Sequence, residues 1–382
     1  MKNSILLRRR KFELPYLLML MWFLAAACIP LPSASAAATS TTAPGIASAI
    51  GPGIGYGPIT TFSIVAYDPG TGDFGVAVQS KYFAVGDVVP FAAADTGVLA
   101  TQARGNILHG PEGLELLAEG VPAKQVIRRL IDKDPLGEGR QLGVVDADGQ
   151  AATYTGSECL PWAGGKTGSH YAVQGNLLAG PQVIEAMAAT FEAAPGDLAT
   201  RLVYALAAGQ AAGGDARGRQ SAAVLVVRKD AGYLGLTDRH IDLHVEDHPT
   251  PIRELKRLLD IRHAQLAAVK SQDLLEKAKQ AGPGLQAGLV KEAREAAERG
   301  LDFFRGDDHL WWLVARTRWL DGDFGAAVDA GQAALLLGPS WPRLPEQTRI
   351  ELGLPPELVD ALRQDQAFRR LWDSLAVTGS VQ

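Results

Sequence analysis

Thr60-Thr61-Phe62-Ser63-Ile64-Val65-Ala66-Tyr67-Asp68 is the first stretch of this 382-residue chain that reads as a core strand. From Phe62 it is mostly apolar and β-branched. Asp68-Pro69-Gly70-Thr71-Gly72-Asp73 then supplies a turn, and Phe74-Gly75-Val76-Ala77-Val78-Gln79 returns as the second arm of a hairpin. Two hydroxyl residues stand at the threshold of that hairpin. A threonine made N-terminal by proteolysis carries a hydroxyl nucleophile and a free α-amino base on one residue, the Thr/N-terminal-amine form of nucleophilic catalysis. A threonine that merely starts a strand fits the same letters, so the choice rests on the remainder of the chain.

Upstream, Lys2, Arg8, Arg9, Arg10 and Lys11 precede an apolar run over 17–27 that is too short to span a bilayer. Ala34-Ser35-Ala36 follows as an A-x-A cleavage site. The expectation is therefore a signal peptide over 1–36 and an exported, periplasmic or extracellular protein. Lipidation at Cys28 is the competing reading, with its leucine one position too far upstream. No later stretch is apolar enough to cross a membrane. Residues 37–60 are rich in Ala, Thr, Gly and Pro and read as a leader or propeptide. Their glycines precede a strand and do not join a strand to a helix, as a dinucleotide fingerprint requires.

The whole chain has a net charge of −5. Removing 1–36, with five basic and one acidic side chain, leaves 32 basic against 41 acidic, near −9. That balance lacks the footprint of a nucleic-acid binder. It also leaves Cys159 alone, so no intrachain disulfide forms. No histidine or basic cluster lies near Cys159 in sequence, and it reads as a small buried hydrophobe.

Downstream, 86–90 and 97–102 read as short strands, Gly110-Pro111-Glu112-Gly113 and Val121-Pro122-Ala123 as helix starts, and 141–154 as a hairpin turning at Asp148-Gly149. A strand over 171–176 is followed by helices from Pro181 and over 197–208. The polar loop 213–221 then feeds a buried strand over 222–227. Gly165-Lys166-Thr167 is not a phosphate loop, because Leu160 occupies the place of its first glycine. The order fits an α+β fold, two antiparallel sheets in the middle with helices outside.

Thr61-Phe62-Ser63-Ile64-Val65-Ala66, Gly75-Val76-Ala77-Val78, Ala100-Thr101-Gln102-Ala103, Tyr171-Ala172-Val173-Gln174-Gly175-Asn176, Gly213-Gly214-Asp215-Ala216-Arg217-Gly218-Arg219-Gln220-Ser221-Ala222-Ala223 and Asp247-His248-Pro249 resemble, in this order, the domain-of-unknown-function 1028 family. The resemblance covers 61–262. That family is similar to the N-terminal-nucleophile (Ntn) hydrolases, which implies a four-layer αββα sandwich and a processed Thr61. Members without a leader would expose the threonine by loss of Met alone; here it stands behind a signal and some two dozen further residues.

Under that reading Thr61 Oγ attacks an amide or ester carbonyl and its own amine, with a reference pKa of about 8, takes the proton. Thr60 is the alternative nucleophile if the cut falls one residue earlier. Asn176, or the N–H groups of the Gly175-Asn176 turn, is the choice for the oxyanion donor. Asp215 and Ser221 are the candidates to orient the amine. The other reading of that loop pairs Asp215 with Arg217 or Arg219. Ser80 and Lys81 end the second strand, where the hairpin brings them back beside Thr61, and a lysine there lowers an amine's pKa.

His240, Asp242, His244, Glu246 and His248 alternate with apolar residues, which on a strand puts all five on one face. Such a face ligates zinc or simply meets solvent. No residue is assigned as a metal ligand, and no cofactor is expected. From Pro251 the composition turns helical. Trp311, Gly322, Phe324, Ala327, Ala334 and Pro339 match a tetratricopeptide repeat, with a weaker match at Gly288 and Ala293 and a closing helix over 358–375. Residues 263–382 thus form a helical docking region, for which the resemblance implies peptidoglycan or a protein partner. The function expected is an exported amidohydrolase or peptidase acting on a small amide or peptide. The alternative is a non-catalytic cell-envelope binding protein. A metal-dependent hydrolase built on the histidine stripe stands third.

Overall fold

In the computed structural model, which describes residues 60–338, 356–366 and 369–370, the opening hairpin forms as its alternation dictates. β1 (Thr61–Asp68) pairs antiparallel with β2 (Asp73–Ser80), Thr61 opposite Ser80 and Asp68 opposite Asp73. With β7 (Gly164–Gly168), β8 (Tyr171–Gly175), β9 (Ser221–Val227) and β10 (Arg239–Val245) they make a six-stranded antiparallel sheet in the order β10-β9-β2-β1-β8-β7. β3 (Pro90–Ala93), β4 (Gly97–Ala103), β5 (Arg140–Asp146) and β6 (Ala151–Thr155) make a four-stranded antiparallel sheet in sequence order. The expected signal over 1–36, its cleavage site, Cys28, the leader apart from Thr60, Pro339 and the end of the closing helix lie outside the described residues.

Three apolar layers hold the sheets. Between them, Val65, Val76 and Val78 meet Val98, Ala100 and Val145. The small sheet turns Leu99, Leu142 and Val144 outward onto α1 (His109–Ala118) and α2 (Ala123–Asp132), which answer with Leu117, Val126 and Leu130. The large sheet turns Phe62, Ile64, Val224 and Val226 outward onto α3 (Gln182–Ala193), α4 (Leu198–Ala211) and the start of α5 (Pro251–Gln280). Period two along β1 thus sends Phe62 and Ile64 to the helices and Thr61, Ser63 and Val65 between the sheets. Burying a side chain such as Phe62 contributes about 2–3 kcal/mol.

Two local readings are corrected. Residues 86–90, expected as a strand, begin with one 3-10 turn over Val85–Asp87, and the strand starts only at Pro90. The reason lies in long-range bonds: Ala84 N–H donates to the Glu246 carbonyl and Val85 N–H to Ser221 Oγ. Gly164–Gly168 is an edge strand, which the glycine content hid.

α5 runs unbroken through the expected boundary between 262 and 263. Its His263 bonds the Asp197 carboxylate at 2.8 Å, and Asp197 also caps α4 through Thr200 N–H. Burial works to raise that carboxyl's pKa, but the bonds from His263 and Thr200 outweigh it and hold the group well below the usual carboxylate range. α6 (Pro283–Phe303), α7 (Asp308–Leu320), α8 (Phe324–Leu337) and α9 (Pro356–Gln364) share a separate core that includes Trp312, Ala327, Ala334, Leu358 and Leu362. Gly322, with φ +80°, turns the chain from α7 into α8. Among the described residues no helix is long and apolar enough to cross a membrane.

The small sheet is closed by a buried ion pair. Asp134 accepts from Arg140 Nε at 2.9 Å, Leu136 N–H at 2.9 Å and Asn106 Nδ2 at 3.2 Å, with His109 Nε2 at 3.1 Å. Burial opposes its charge, yet these donors outweigh it and hold the carboxyl at about 2. Because the folded value lies below the unfolded one of about 3.9, the stabilisation is complete above that pH and is lost as pH falls toward about 2. It is worth about 2–3 kcal/mol. Unfolding midpoints measured from pH 5 to pH 2.5 are expected to fall more steeply in the native chain than in Asp134→Asn.

Candidate active site

The layer between the sheets changes character along its length. At one end it is apolar, as described. At the other, the same alternation that delivers Val65, Val78, Ala100 and Ala172 inward delivers Thr61, Ser63, Ser80, Gln102, Gln141, Gln174 and Ser221, every one of them buried. Such a cluster is tolerable only if most of its polar atoms are paired; of these side chains Gln174 leaves its Oε1 without a partner. Gln102 Nε2 donates to Gln141 Oε1 at 2.8 Å and to the Thr61 carbonyl at 3.3 Å. Ser63 Oγ donates to Gln102 Oε1 and accepts from Gln174 Nε2, both at 2.6 Å. Gln141 Nε2 donates to the Gly175 carbonyl at 2.8 Å. Gly143 makes room for Gln174, whose Oε1 would lie 2.1 Å from a Cβ at that position.

Thr61 sits, buried, at the end of this network. Thr61, Ser80 and Ser221 are register partners across β1, β2 and β9 and form one row. Thr61 Oγ1 donates to Ser80 Oγ at 3.1 Å, and Ser80 Oγ donates to the carbonyl of Thr60 at 2.6 Å. Arg217 Nη2 reaches the same carbonyl at 2.9 Å. The peptide carbonyl just ahead of Thr61 therefore has two donors, one of them cationic. Asp215 holds the arginine in place. Its side chain has no solvent exposure and accepts from Arg217 Nη2 at 2.8 Å, Arg217 Nε at 3.1 Å and Thr60 Oγ1 at 3.3 Å. Gly214, with φ +59°, allows the turn that brings α4 into this loop.

The other expected residues are placed differently. Asn176 N–H donates to the Thr61 carbonyl at 3.0 Å and its Nδ2 to Gln141 Oε1 at 2.9 Å, so both donors are engaged in holding the strand that begins at Thr61. Ser221 is in the row, but its hydroxyl donates to the Tyr82 carbonyl and accepts from Val85 N–H. Lys81 turns its side chain to solvent, and its backbone N–H bonds Asp215 at 3.2 Å. Cys159 is half-buried, bonds the Arg140 carbonyl, and has its thiol pKa pushed up by burial.

Arg217 is the arginine that pairs with Asp215, one of the two the loop offers, but its reach to the Thr60 carbonyl and the three glutamines have no place in the sequence reading. For Arg217 the available signal was a cation two residues after a loop aspartate, where bidentate pairing is easy. The glutamines carried no local signal.

The histidine stripe does not form a single row. A register shift between Arg239 and Ile241 displaces His240, where burial, with Arg228 second, lowers its pKa. His248 lies beyond the strand and accepts from Thr250 N–H at 3.0 Å. Asp242, His244 and Glu246 do converge, with Asp87 from the preceding turn.

These observations define an α+β protein with a hydroxyl-edged site closing one end of an antiparallel inter-sheet layer. The family described as "Family of unknown function (DUF1028)" matches residues 61–255, just over half of the chain, and the protein belongs to that family. Among solved structures it is similar to protein SPO2555 from Silicibacter pomeroyi, also of DUF1028. The identity is 32%, over 52% of this chain and 88% of that one, with a TM-score of 0.48. No curated protein matches.

Proposed function

We propose that this chain is an exported amide- or peptide-bond hydrolase of Ntn type whose nucleophile, Thr61, is freed by cleavage of the Thr60–Thr61 bond. The observation that carries the reading is the cradle around the Thr60 carbonyl, with Ser80 Oγ at 2.6 Å and Arg217 Nη2 at 2.9 Å. The arrangement of helices and sheets, which an αββα sandwich would have, and a family match that begins at Thr61 add support.

In the processing step Thr61 Oγ attacks the carbonyl carbon of Thr60. Its proton passes to Ser80 Oγ while Ser80 gives its own proton to the carbonyl oxygen, and Arg217 stabilises the negative charge that develops on that oxygen before the proton arrives. Collapse breaks the C–N bond, the Thr61 nitrogen keeps the proton returned from the former carbonyl oxygen, and residue 60 is left esterified to Oγ. Water then hydrolyses the ester. Thr61 acquires a basic amine, which a peptide nitrogen is not. The donors vacated by Thr60 become available to the carbonyl oxygen of a substrate, while Gln102 and Asn176 keep the threonine's own carbonyl fixed.

Intact-mass analysis and N-terminal sequencing of purified protein are the test. A chain starting at Thr61 is expected. An active protein that retains the Thr60–Thr61 bond would overturn the reading.

One observation favours the non-catalytic alternative, in which the helical region docks to peptidoglycan or a protein partner. With the chain continuous at Thr60, both threonines have no solvent exposure, so an uncut protein offers no accessible nucleophile. The same mass measurement separates the two readings, since a binding protein has no need of the cut.

A further inference from the structure

The turn that follows β2 meets the end of β10 in a cluster unrelated to the threonine chemistry. His244 Nε2 lies 3.0 Å from Asp242 Oδ1, and Asp242 is itself paired with Arg239. An ionised carboxylate only accepts, so it fixes the proton of a neutral imidazole on Nε2. The Nδ1 lone pair then faces Glu246 Oε1 at 3.4 Å and Asp87 Oδ1 at 3.7 Å. Three electron-rich atoms facing one another repel unless a proton or a cation lies among them. The second oxygen of Glu246 is shielded from solvent and has no hydrogen-bond partner.

We propose that Asp87, His244 and Glu246 bind a divalent transition-metal cation, with zinc the best match to the donors. Ligand atoms about 2.0–2.1 Å from a tetrahedral zinc lie about 3.3 Å apart, close to the two separations from His244 Nδ1, and one donor atom from each of the three residues falls within 4.8 Å of the others. A neutral imidazole favours zinc over calcium or magnesium, which take oxygen ligands. Two carboxylates neutralise the ion's charge. The Asp242–His244 contact is the carboxylate–histidine arrangement that orients a metal-binding ring.

The backbone prepares the site. Ala84, at φ +52°, turns the chain so that its N–H reaches the Glu246 carbonyl at 3.1 Å. Gly86 lies so close under the ring that a Cβ there would come 2.7 Å from His244 Nδ1. Asp87 is two-thirds exposed, which leaves an entry path for the ion. The cation's role follows from what it joins. It fastens the turn over residues 82–87, already tied to Ser221, to the strand beyond, and this turn leaves the strand that ends in Ser80. It is a structural cation outside the reacting centre.

The test uses the full chain, stripped with a chelator and titrated with zinc chloride by calorimetry, with the thermal midpoint followed in parallel. One zinc per chain and a raised midpoint are expected. Asp87→Asn alters an exposed side chain and leaves the fold alone; it is expected to weaken binding at least tenfold. Glu246→Gln is expected to do the same. Thr61→Ala is expected to bind zinc like the native chain, which keeps this result separate from the catalytic reading. No uptake by the native chain, or uptake unchanged in both Asp87→Asn and Glu246→Gln, would overturn the assignment.

Discussion

Thr61→Ala is expected to leave the Thr60–Thr61 bond intact and to lower amide hydrolysis by about 10⁴-fold or more, the loss typical of removing a covalent nucleophile. The substitution removes the hydroxyl and one buried methyl and leaves the backbone bonds in place. The Thr61 carbonyl keeps its bonds from Asn176 N–H and Gln102, and Ser80 Oγ keeps the Thr60 carbonyl. The stability cost is therefore about 2 kcal/mol, too small to explain lost activity by unfolding. Thr61→Ser retains the hydroxyl and is expected to be cut and active. A second form of the alanine variant, made to begin at residue 61, has the free amine without the hydroxyl and is expected to stay inactive. Mass spectra and a panel of simple amide substrates read all three. An alanine variant that is still cut and still hydrolyses amides would place the nucleophile elsewhere.

What could be read from the sequence follows from how local each signal is. The β1–β2 hairpin, its turn and the buried run of β9 are each contained in no more than 20 residues, and apolar alternation alone fixes which way their side chains point. The helix starts at Gly110-Pro111 and Asp197 are equally local. The polar end of the inter-sheet layer is different. Gln102, Gln141 and Gln174 lie on three strands, and each alone reads as an ordinary strand glutamine. Only the pairing of β4 with β5 and of β1 with β8 brings them beneath Thr61.

The errors have the same origin. Residues 86–90 are apolar enough for a strand, but the N–H groups of Ala84 and Val85 just ahead of them go to distant partners, Glu246 and Ser221, and those of 87–89 turn back onto the Ala84 and Val85 carbonyls. Period two over 240–248 assumes an unbroken ladder, and one register shift removes His240 from the row. The boundary at 262/263 carries no linker composition, because one helix of 30 residues runs through it, with Leu259 in the core of the sheets and Ala264 in that of the helical region. Asn176 and Ser221 are near the threonine, as their motifs imply. The hydrogen bonds they actually make give them the work of holding Thr61's strand and the 82–85 turn.

Arg217→Ala is expected to slow processing of the Thr60–Thr61 bond by about 10²–10³-fold, the cost of losing one well-aimed oxyanion donor, about 3–4 kcal/mol. The same change does a second thing. Asp215 is fully buried and Arg217 is its cation, so alanine leaves a buried charge without its partner, worth about 3–5 kcal/mol of stability. The two effects are separable. Asp215→Asn added to Arg217→Ala removes the stranded charge while keeping a side chain of the same shape, and is expected to recover most of the stability without recovering the cut. Arg217→Lys keeps a charge for Asp215 but gives up the fork that serves the carboxylate and the Thr60 carbonyl together, and so should fold well and process slowly. Unfolding midpoints and the rate of appearance of the cut chain measure the two quantities independently. If processing instead returned in step with stability in the double variant, Arg217 would be a prop for the loop and the oxyanion role would pass to Ser80 alone.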